Sequence, residues 1–329
     1  MLNMLATYVW ALNPVLIDFG PVQVRFYGVI FVLTMLCGFG LWWWQMRRAD
    51  YPRLVIESFI TWGVVATIVG ARLGHCFFYN PAHYLEHPVQ ILYFWEGGLA
   101  SHGATVGLIT ALLLYAWRWK LRPLELMDRF TVSAAVGAAG IRLGNFTNSE
   151  IVGRVTDVPW AVEFPLHDLV GRPGIRDLDD AITYWQQAGE AQRQALLEFV
   201  PARHPSQLYE FAIGVAVLGL LVLIDRLAGR EKRPRGLLLG CFLGLYFTGR
   251  FCVEFVKQRH TLPEDSLLTM GQWLSIIPLL AGLAIVTWSL VARRPTGKPE
   301  GWQPPAKAEG KPDTQPEPDR DRRRRKRKS

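Results

Sequence analysis

A run of polar and charged residues lies where a long apolar stretch ends, between positions 142 and 154. It combines two arginines, two amides and a carboxylate with closely spaced glycines: Arg142, Gly144, Asn145, Asn148, Glu150, Gly153 and Arg154. A guanidinium offers parallel charged N–H donors that match phosphate oxygens, and amide side chains can bind ester or hydroxyl oxygens. The run predicts a site for a phosphate-bearing ligand at an apolar boundary; an ordinary polar turn is the alternative.

A second group of candidates is spread over other apolar stretches. His102 has Gly103 beside it, and its imidazole could act as a base near neutral pH; a histidine hydrogen-bonded to a carbonyl is the alternative. Tyr246, Arg250 and Glu254 are spaced by four, which places them on nearly one helix face. Arg250 and Glu254 could equally form a local ion pair. Tyr27 is weakly marked, since aromatic residues are common at membrane interfaces.

The cysteines give no sign of a metal site. They are four in number, all lie inside apolar stretches and none has metal-ligand spacing. We expect them to be small packing residues, and we expect no metal and no organic cofactor.

The elements that must position these groups are membrane helices. The 329 residues are 50% hydrophobic, and runs of about 18 or more apolar residues are long enough to span a bilayer. Seven such spans are predicted, at about residues 22–45, 54–78, 90–117, 124–143, 206–227, 236–256 and 270–291. The predicted fold class is an all-α membrane protein, a bundle of seven transmembrane helices with a small extracytoplasmic head domain.

Lysine and arginine placement predicts the orientation. Basic residues follow spans one, three, five and seven, whereas residues 1–20 and 79–89 hold no Lys or Arg. By the positive-inside rule the N-terminus lies outside and the C-terminus in the cytoplasm. The net charge of +8 reflects mainly the basic tail, so nucleic-acid binding is not indicated.

Four segments follow from these patterns. Helices one to four occupy residues 1–143, the head 144–205, helices five to seven 206–292, and a disordered basic cytoplasmic tail 293–329. Within the head, residues 177–199 predict one amphipathic helix, preceded by a short apolar or strand-like stretch near residues 164–170.

Several motifs together resemble one enzyme family. The run from Gly140 to Arg154 is similar to the signature of prolipoprotein diacylglyceryl transferases, and Ser101-His102-Gly103 resembles that family's essential histidine segment. Similar matches occur at residues 203–210 and 244–250 and at Glu254. They occur in order over about residues 12–292.

The resemblance implies transfer of a diacylglyceryl group from phosphatidylglycerol to the lipobox cysteine of prolipoproteins. A thioether forms and glycerol phosphate leaves, as the first step of bacterial lipoprotein maturation. It also implies an enzyme of the bacterial inner membrane, multi-pass, whose partners are phosphatidylglycerol, the prolipoprotein signal peptide and membrane lipids. We expect a monomer.

The roles of the residues follow from that chemistry. His102 and Arg250 are the predicted catalytic residues, although two arginines could lower the thiol pKa enough that no dedicated base is needed. The predicted phospholipid-binding residues are Arg142, Tyr27, Asn145, Asn148, Glu150, Gly153, Arg154, Tyr246 and Glu254. Among them, Glu150 and Glu254 are expected to hold the arginines in place.

Two other classes of protein share some of these features. A transporter would place its charges near the membrane midplane and often has an inverted repeat; here the charges lie near the predicted outer leaflet and no repeat is evident. A lipid-headgroup phosphatase would need a nucleophile that attacks phosphorus or a set of metal ligands, and neither is evident.

Overall fold

The computed structural model describes residues 8–20, 23–94, 98–258 and 266–304. The chain forms two compact units, one of Met1–Asp50 with Pro123–Gly297 and one of Tyr51–Arg122 with Lys298–Ser329. The helices are α1 (Phe26–Arg48), α2 (Arg53–Phe78), α3 (Pro81–Glu86), α4 (Ser101–Arg118), α5 (Pro123–Thr147), α6 (Pro165–Leu169), α7 (Leu178–Gln187), α8 (Glu190–Leu197), α9 (Ser206–Leu227), α10 (Leu237–Val253) and α11 (Met270–Ala292).

Within the described ranges, four helices are long and apolar enough to cross a membrane: α1, α2, α9 and α11. The chain is thus a mainly helical membrane protein. Every predicted span contains one long helix, but the prediction for residues 90–117 is wrong at its beginning. A short 3₁₀ turn occupies Pro88–Leu92, and α4 begins only at Ser101. Gly98, with φ of 65°, has a left-handed backbone that interrupts a helix.

In the first unit, α5 packs against α1, α9 and α10, and α10 packs against α9 and α11. Small residues allow the closest approaches. A β-carbon on Gly240 of α10 would lie 2.7 Å from Val286 Cγ2 of α11, and one on Gly282 would lie 2.7 Å from the Gly244 backbone nitrogen. Gly240 and Gly244 of α10 are therefore used for helix packing against α11.

A buried set of charges joins the end of α1 to the start of α5 and the end of α9; we call it the Arg233 network. Its members are Arg48, Glu125, Asp128, Arg129, Asp225, Glu231 and Arg233. Arg233 Nη1 lies 2.8 Å from Asp225 Oδ1, and Arg233 Nε lies 3.2 Å from Asp128 Oδ2. Asp128 also accepts a 2.9 Å hydrogen bond from the Leu239 backbone, which fixes the beginning of α10.

Glu231 belongs to this network but lies in the turn Arg230–Lys232, outside the long helices. Burial raises the pKa of its carboxyl, yet the hydrogen bonds and charges of Arg129 and Arg48 outweigh that effect. The net result is a pKa below the ordinary range of a glutamate. The folded state therefore favours the ionised form.

In the second unit, α2 and α4 meet along glycines that face each other. A β-carbon on Gly74 would lie 2.6 Å from Gly103 Cα, and one on Gly107 would lie 2.3 Å from the Ala66 carbonyl oxygen. The two backbones are thus almost in contact, which is the usual outcome of small residues at a membrane-helix interface.

A short C-terminal segment, Lys298 to Pro304, completes the second unit; we call it the strap. Trp302 Nε1 donates a 2.7 Å hydrogen bond to the Trp119 carbonyl, and its ring lies edge-on to Tyr51, with the centroids 5.7 Å apart. Lys298 Nζ lies 5.5 Å from the centre of the Tyr51 ring. The strap covers Tyr51, whose side chain is fully buried.

The predicted tail is corrected by these contacts. Residues 298–304 form the strap, and in the first unit Thr296 Oγ1 donates a 2.6 Å hydrogen bond to Glu125 Oε2. Predicted disorder thus does not extend to residues 293–304, because aromatic and hydroxyl side chains there have specific partners. The remaining predicted tail, residues 305–329, lies outside the described residues.

The insert between α5 and α9 is built from short elements. Strand β4 (Val162–Glu163) pairs with β1 (Tyr8–Val9) in parallel and with β5 (Ala202–Arg203) in antiparallel orientation. A separate hairpin joins β2 (Val15–Asp18) to β3 (Gln23–Arg25). The apolar stretch predicted near residues 164–170 is the helix α6 rather than a strand, and β4 ends just before it, at Glu163.

The single helix predicted for residues 177–199 is wrong, because it is two helices, α7 and α8. Asp177 caps α7 by accepting a hydrogen bond from the Asp180 backbone. α7 ends at Gln187, because the next residue, Ala188, has an extended ψ of 129°, and Gly189 is the N-cap of α8.

Candidate functional site

The site in the first unit is built around the turn that follows α5. Ser149 and Ile151 both have positive φ values, 54° and 60°, and for a β-branched residue this backbone is strained. Side chains at the start of α9 hold the turn in place. Ser206 Oγ donates to the Ile151 carbonyl at 2.9 Å, and Gln207 Nε2 donates to the Glu150 carbonyl at 2.8 Å.

Glu210, one turn further along α9, is the centre of the charged groups. Its side chain is 2% exposed, and Arg142 Nε lies 2.9 Å from Oε2. Arg250 Nη1 and Lys257 Nζ each lie 3.7 Å from Oε1. One buried carboxylate thus gathers three cations that come from α5, α10 and the segment after α10.

Glu254 supplies the second carboxylate of this cluster. It accepts a 2.9 Å hydrogen bond from Lys257 Nζ and a 3.0 Å hydrogen bond from Thr269 Oγ1. Gly271 makes room for it, since a β-carbon there would lie 2.2 Å from the carboxyl. We name Arg142, Glu210, Arg250, Glu254 and Lys257 the Glu210 cluster.

The cluster holds three cations and two carboxylates, which leaves one net positive charge. The Glu210 oxygens lie close to the cations but accept no aligned hydrogen bond from the described residues. Among those residues, the Arg250 guanidinium donates no hydrogen bond, and Arg142 donates one weak bond, of 3.3 Å, to Asn145. Charged N–H donors therefore remain for another anion.

Other predicted site residues surround the turn. The Tyr27 ring packs against Gly144, where a β-carbon would lie 2.7 Å from Cδ2. Tyr246 stacks on Phe242 with ring centroids 5.5 Å apart. Neither phenol oxygen forms a hydrogen bond within the described part of the chain. Asn148 Nδ2 donates to Glu150 Oε1 at 2.9 Å.

Gly153 and Arg154 join the turn to the segment that carries Lys257. Gly153 forms an antiparallel bridge with Lys257, and a β-carbon there would lie 2.5 Å from the His204 carbonyl oxygen. Arg154 Nε donates a 3.0 Å hydrogen bond to the Lys257 carbonyl. These contacts position the backbone of the cluster.

His102 lies in the second unit, in the first turn of α4, and it is exposed. Its ring is edge-on to Phe78, with centroids 5.1 Å apart, and lies 5.9 Å from Tyr79. His102 also lines one end of an apolar groove of about 780 Å³ between α2 and α4. The groove extends along α2 from Thr61 to Phe78.

Two expectations about ion pairs are wrong. Glu254 has Lys257 as its ion-pair partner rather than Arg250, and Glu150 pairs with Asn148, so neither glutamate is the residue that gathers the arginines. That residue is Glu210, which the assignment from sequence missed together with Lys257. A carboxylate inside an otherwise apolar span was an available signal for Glu210. Lys257 lies beyond the predicted span, and no pattern marked it.

The described residues hold no group of three or more His, Cys, Asp or Glu side chains that could bind a metal ion. What the first unit does offer is guanidinium donors beside phenols and amides, at the ends of apolar helices. These features define a helical membrane protein with a cation-rich cluster at the ends of its apolar helices.

Comparison with known proteins gives the family. The family model described as prolipoprotein diacylglyceryl transferase matches residues 14–288, and this chain belongs to that family. Three relatives are named phosphatidylglycerol–prolipoprotein diacylglyceryl transferase. The protein of Chloroherpeton thalassium is 37% identical over 85% of this chain and 94% of its own length. That of Tolumonas auensis is 35% identical over 85% and 96%, and that of Nitrosomonas europaea 34% over 88% and 92%.

Proposed function

We propose that this chain transfers the diacylglyceryl group of phosphatidylglycerol to the lipobox cysteine of prolipoproteins, the first step of lipoprotein maturation. Family membership and the names of the relatives support the reaction. The observation that carries the proposal is the Glu210 cluster, with one net positive charge and unused guanidinium donors. An anionic phospholipid headgroup is the ligand that such donors fit.

The reaction requires a carbon–sulfur bond to form while a carbon–oxygen bond breaks. The cysteine thiolate attacks the carbon of the diacylglyceryl unit that is bonded to the phosphate oxygen. The electron pair of the broken bond stays on the phosphate oxygen, and glycerol phosphate leaves. Negative charge therefore builds on that oxygen, where charged donors stabilise it most in a water-poor site. We assign Arg142 to binding the phosphate and Arg250 to the leaving oxygen.

The remaining residues orient the lipid or prepare the thiol. Tyr27, Asn145, Asn148 and Tyr246 offer phenol and amide groups to the headgroup and glycerol oxygens. Glu150, Gly153, Arg154 and Glu254 fix the turn and the cations.

His102 takes the thiol proton, directly or through water. This role rests on its chemistry and on the family motif. The groove that His102 borders suits an acyl chain or the apolar part of a signal peptide.

We further propose seven spans, formed by α1, α2, α4, α5, α9, α10 and α11. The N-terminus lies outside, the insert forms a periplasmic head, and the protein is a monomer of the bacterial inner membrane. The distribution of lysine and arginine supports this orientation. A reporter that is active only in the cytoplasm, fused after Pro304, should be active; a stable but silent fusion would contradict the topology.

The test of the reaction uses purified protein, labelled phospholipid and a lipobox peptide. Phosphatidylglycerol should support transfer and phosphatidylcholine should not. Arg142→Ala and Arg250→Ala should each lower turnover about a hundredfold or more. Lysine at either position should restore only part of the turnover, because it lacks the planar fork of the guanidinium. Arg176→Ala is the matched control, since Arg176 is 84% exposed in an ion pair with Asp180. Near-normal turnover in both arginine variants would overturn the assignment.

A further inference from the structure

A buried arginine of α2 binds the chain segment that leads into the His102 helix. The Arg72 side chain is 5% exposed. Its Nη2 donates to the Gln90 carbonyl at 2.6 Å, its Nε donates to the Ile91 carbonyl at 3.0 Å, and its Nη1 lies 3.4 Å from the Gly98 carbonyl. Its guanidinium also lies over the Tyr84 ring, 5.2 Å from the centroid. A single charged side chain thus binds both ends of the segment 90–98.

The last bound carbonyl is close to His102 in the chain. Gly98 precedes the histidine by four residues, and the next contact along the chain is a 2.9 Å hydrogen bond from the Ala100 backbone to the Ala71 carbonyl. A β-carbon on Gly98 would lie 2.9 Å from Arg72 Nη1 and 2.7 Å from the His75 ring. The backbone is therefore fixed immediately before α4 begins.

His102 has little else to hold it. Its ring contacts Phe78 and Tyr79, and within the described residues it forms no side-chain hydrogen bond. The orientation of its ring depends on where the first turn of α4 lies. That turn is placed by the Gly98 carbonyl that Arg72 binds just before it and by the close contact of Gly103 with Gly74 of α2.

We propose that Arg72 is a positioning residue for His102: its guanidinium binds the carbonyls of Gln90, Ile91 and Gly98 and so helps to set the place of the imidazole. The proposal rests on the proposed function only through the role of His102 in proton transfer. Arginine suits this task because it offers five N–H donors in a rigid fork, so that it can bind several carbonyl oxygens at once.

The test is a double-mutant cycle with His102 in the full-length protein. We would measure kcat and KM for phosphatidylglycerol in Arg72→Met, His102→Gln and the double variant, with folding checked by thermal melting. Arg72→Met should lower kcat roughly tenfold to a hundredfold and leave KM nearly unchanged. In the His102→Gln background the same change should cost almost nothing, because the group that it positions is already absent.

Further variants keep the test informative if Arg72→Met folds poorly. Gly98→Ala disturbs the same contact from the other side, and it should show the same loss and the same non-additivity. Arg72→Lys keeps the charge and should restore part of kcat. Arg53→Met, on the exposed beginning of the same helix, should match the wild type.

The outcomes separate the two proposals. Equal losses from Arg72→Met with and without His102 would overturn the positioning role, since a general loss of structure lowers kcat in both backgrounds. Full turnover in His102→Gln alone would instead overturn the assignment of the histidine in the proposed function.

Discussion

Glu210→Gln tests whether the central carboxylate of the cluster positions its cations. The side chain keeps its shape and loses its charge, and the net charge of the cluster rises from one to two. Breaking a buried ion pair by removal of one partner costs about 3–5 kcal/mol. With Glu210 2% exposed and Arg142 2.9 Å away, we expect a loss near the lower end, because Arg142 keeps Asn145 and Lys257 keeps Glu254.

The effect on the reaction has two parts of opposite sign. Extra positive charge should leave the KM for phosphatidylglycerol unchanged or lower it. The arginines, however, lose the group that sets their separation, and if about 3 kcal/mol is needed to restore their geometry in the transition state, kcat falls on the order of a hundredfold. Glu210→Asp keeps the charge on a shorter side chain and should be intermediate.

The assay follows the mass increase of a lipobox peptide with phosphatidylglycerol in mixed micelles, at several lipid concentrations. Turnover is expressed per folded enzyme. Glu198→Gln, an exposed carboxylate at the end of α8, serves as the control. A higher KM with unchanged kcat, or turnover like that of the wild type, would refute the positioning of the arginines by Glu210.

Three further changes have expected outcomes. Gly74→Ala places a methyl 2.6 Å from the backbone of α4 and should destabilise the protein by about 1–3 kcal/mol. The control Gly63→Ala, whose added methyl would lie 3.7 Å from its nearest neighbour, should not destabilise it. Equal melting temperatures for the two variants would contradict the close packing of α2 on α4. Glu231→Gln should cost about 2 kcal/mol of stability at pH 7. Because the pKa of Glu231 is lowered in the folded state, the difference in thermal stability between variant and wild type should be full above the ordinary glutamate pKa of about 4.3 and should vanish as the pH falls through the folded-state pKa. A difference that does not change with pH would contradict this role of the Glu231 charge. Truncation after Gly297 should lower the melting temperature and expose Tyr51 to quenchers, whereas truncation after Pro304 should do neither. Identical melting curves for the two truncated proteins would show that the strap does not stabilise the second unit.

The membrane helices were predictable because each is a long apolar run, and α1, α2, α5, α9, α10 and α11 lie where those runs lie. The beginning of α4 was not predictable from hydropathy. Residues 90–94 are as apolar as the helix itself, but the hydrogen bonds of Arg72 to the Gln90 and Ile91 carbonyls, and that between His83 and the Gln90 side chain, hold the segment in another conformation. The break between α7 and α8 had a local signal, since Gly189 favours a helix end.

The candidate site was predictable in its composition and only partly in its pairing. The turn after α5 and the spacing on α10 singled out Arg142 and Arg250, which both lie beside the Glu210 carboxylate, but the sequence analysis did not predict Glu210 itself. Helical spacing suggested a pair between Arg250 and Glu254. The carboxylate that lies beside both arginines instead comes from α9, and residue spacing within one helix cannot predict contacts between helices that are distant in sequence. Glu210 is 68 positions from Arg142 along the chain.

The strap also has a consequence for the order in which this protein can be completed during synthesis. Residues 123–297 lie between the two parts of the second unit, and at about 5–20 residues per second a ribosome needs roughly ten to thirty-five seconds to make them. Throughout that interval α2 and α4 can already be paired, while Tyr51 and the Trp119 carbonyl still lack the cover that Trp302 provides. A nascent chain therefore finishes its second unit only after α11 has been made, and a product that stops short of Trp302 carries an open aromatic surface by which it differs from a finished molecule.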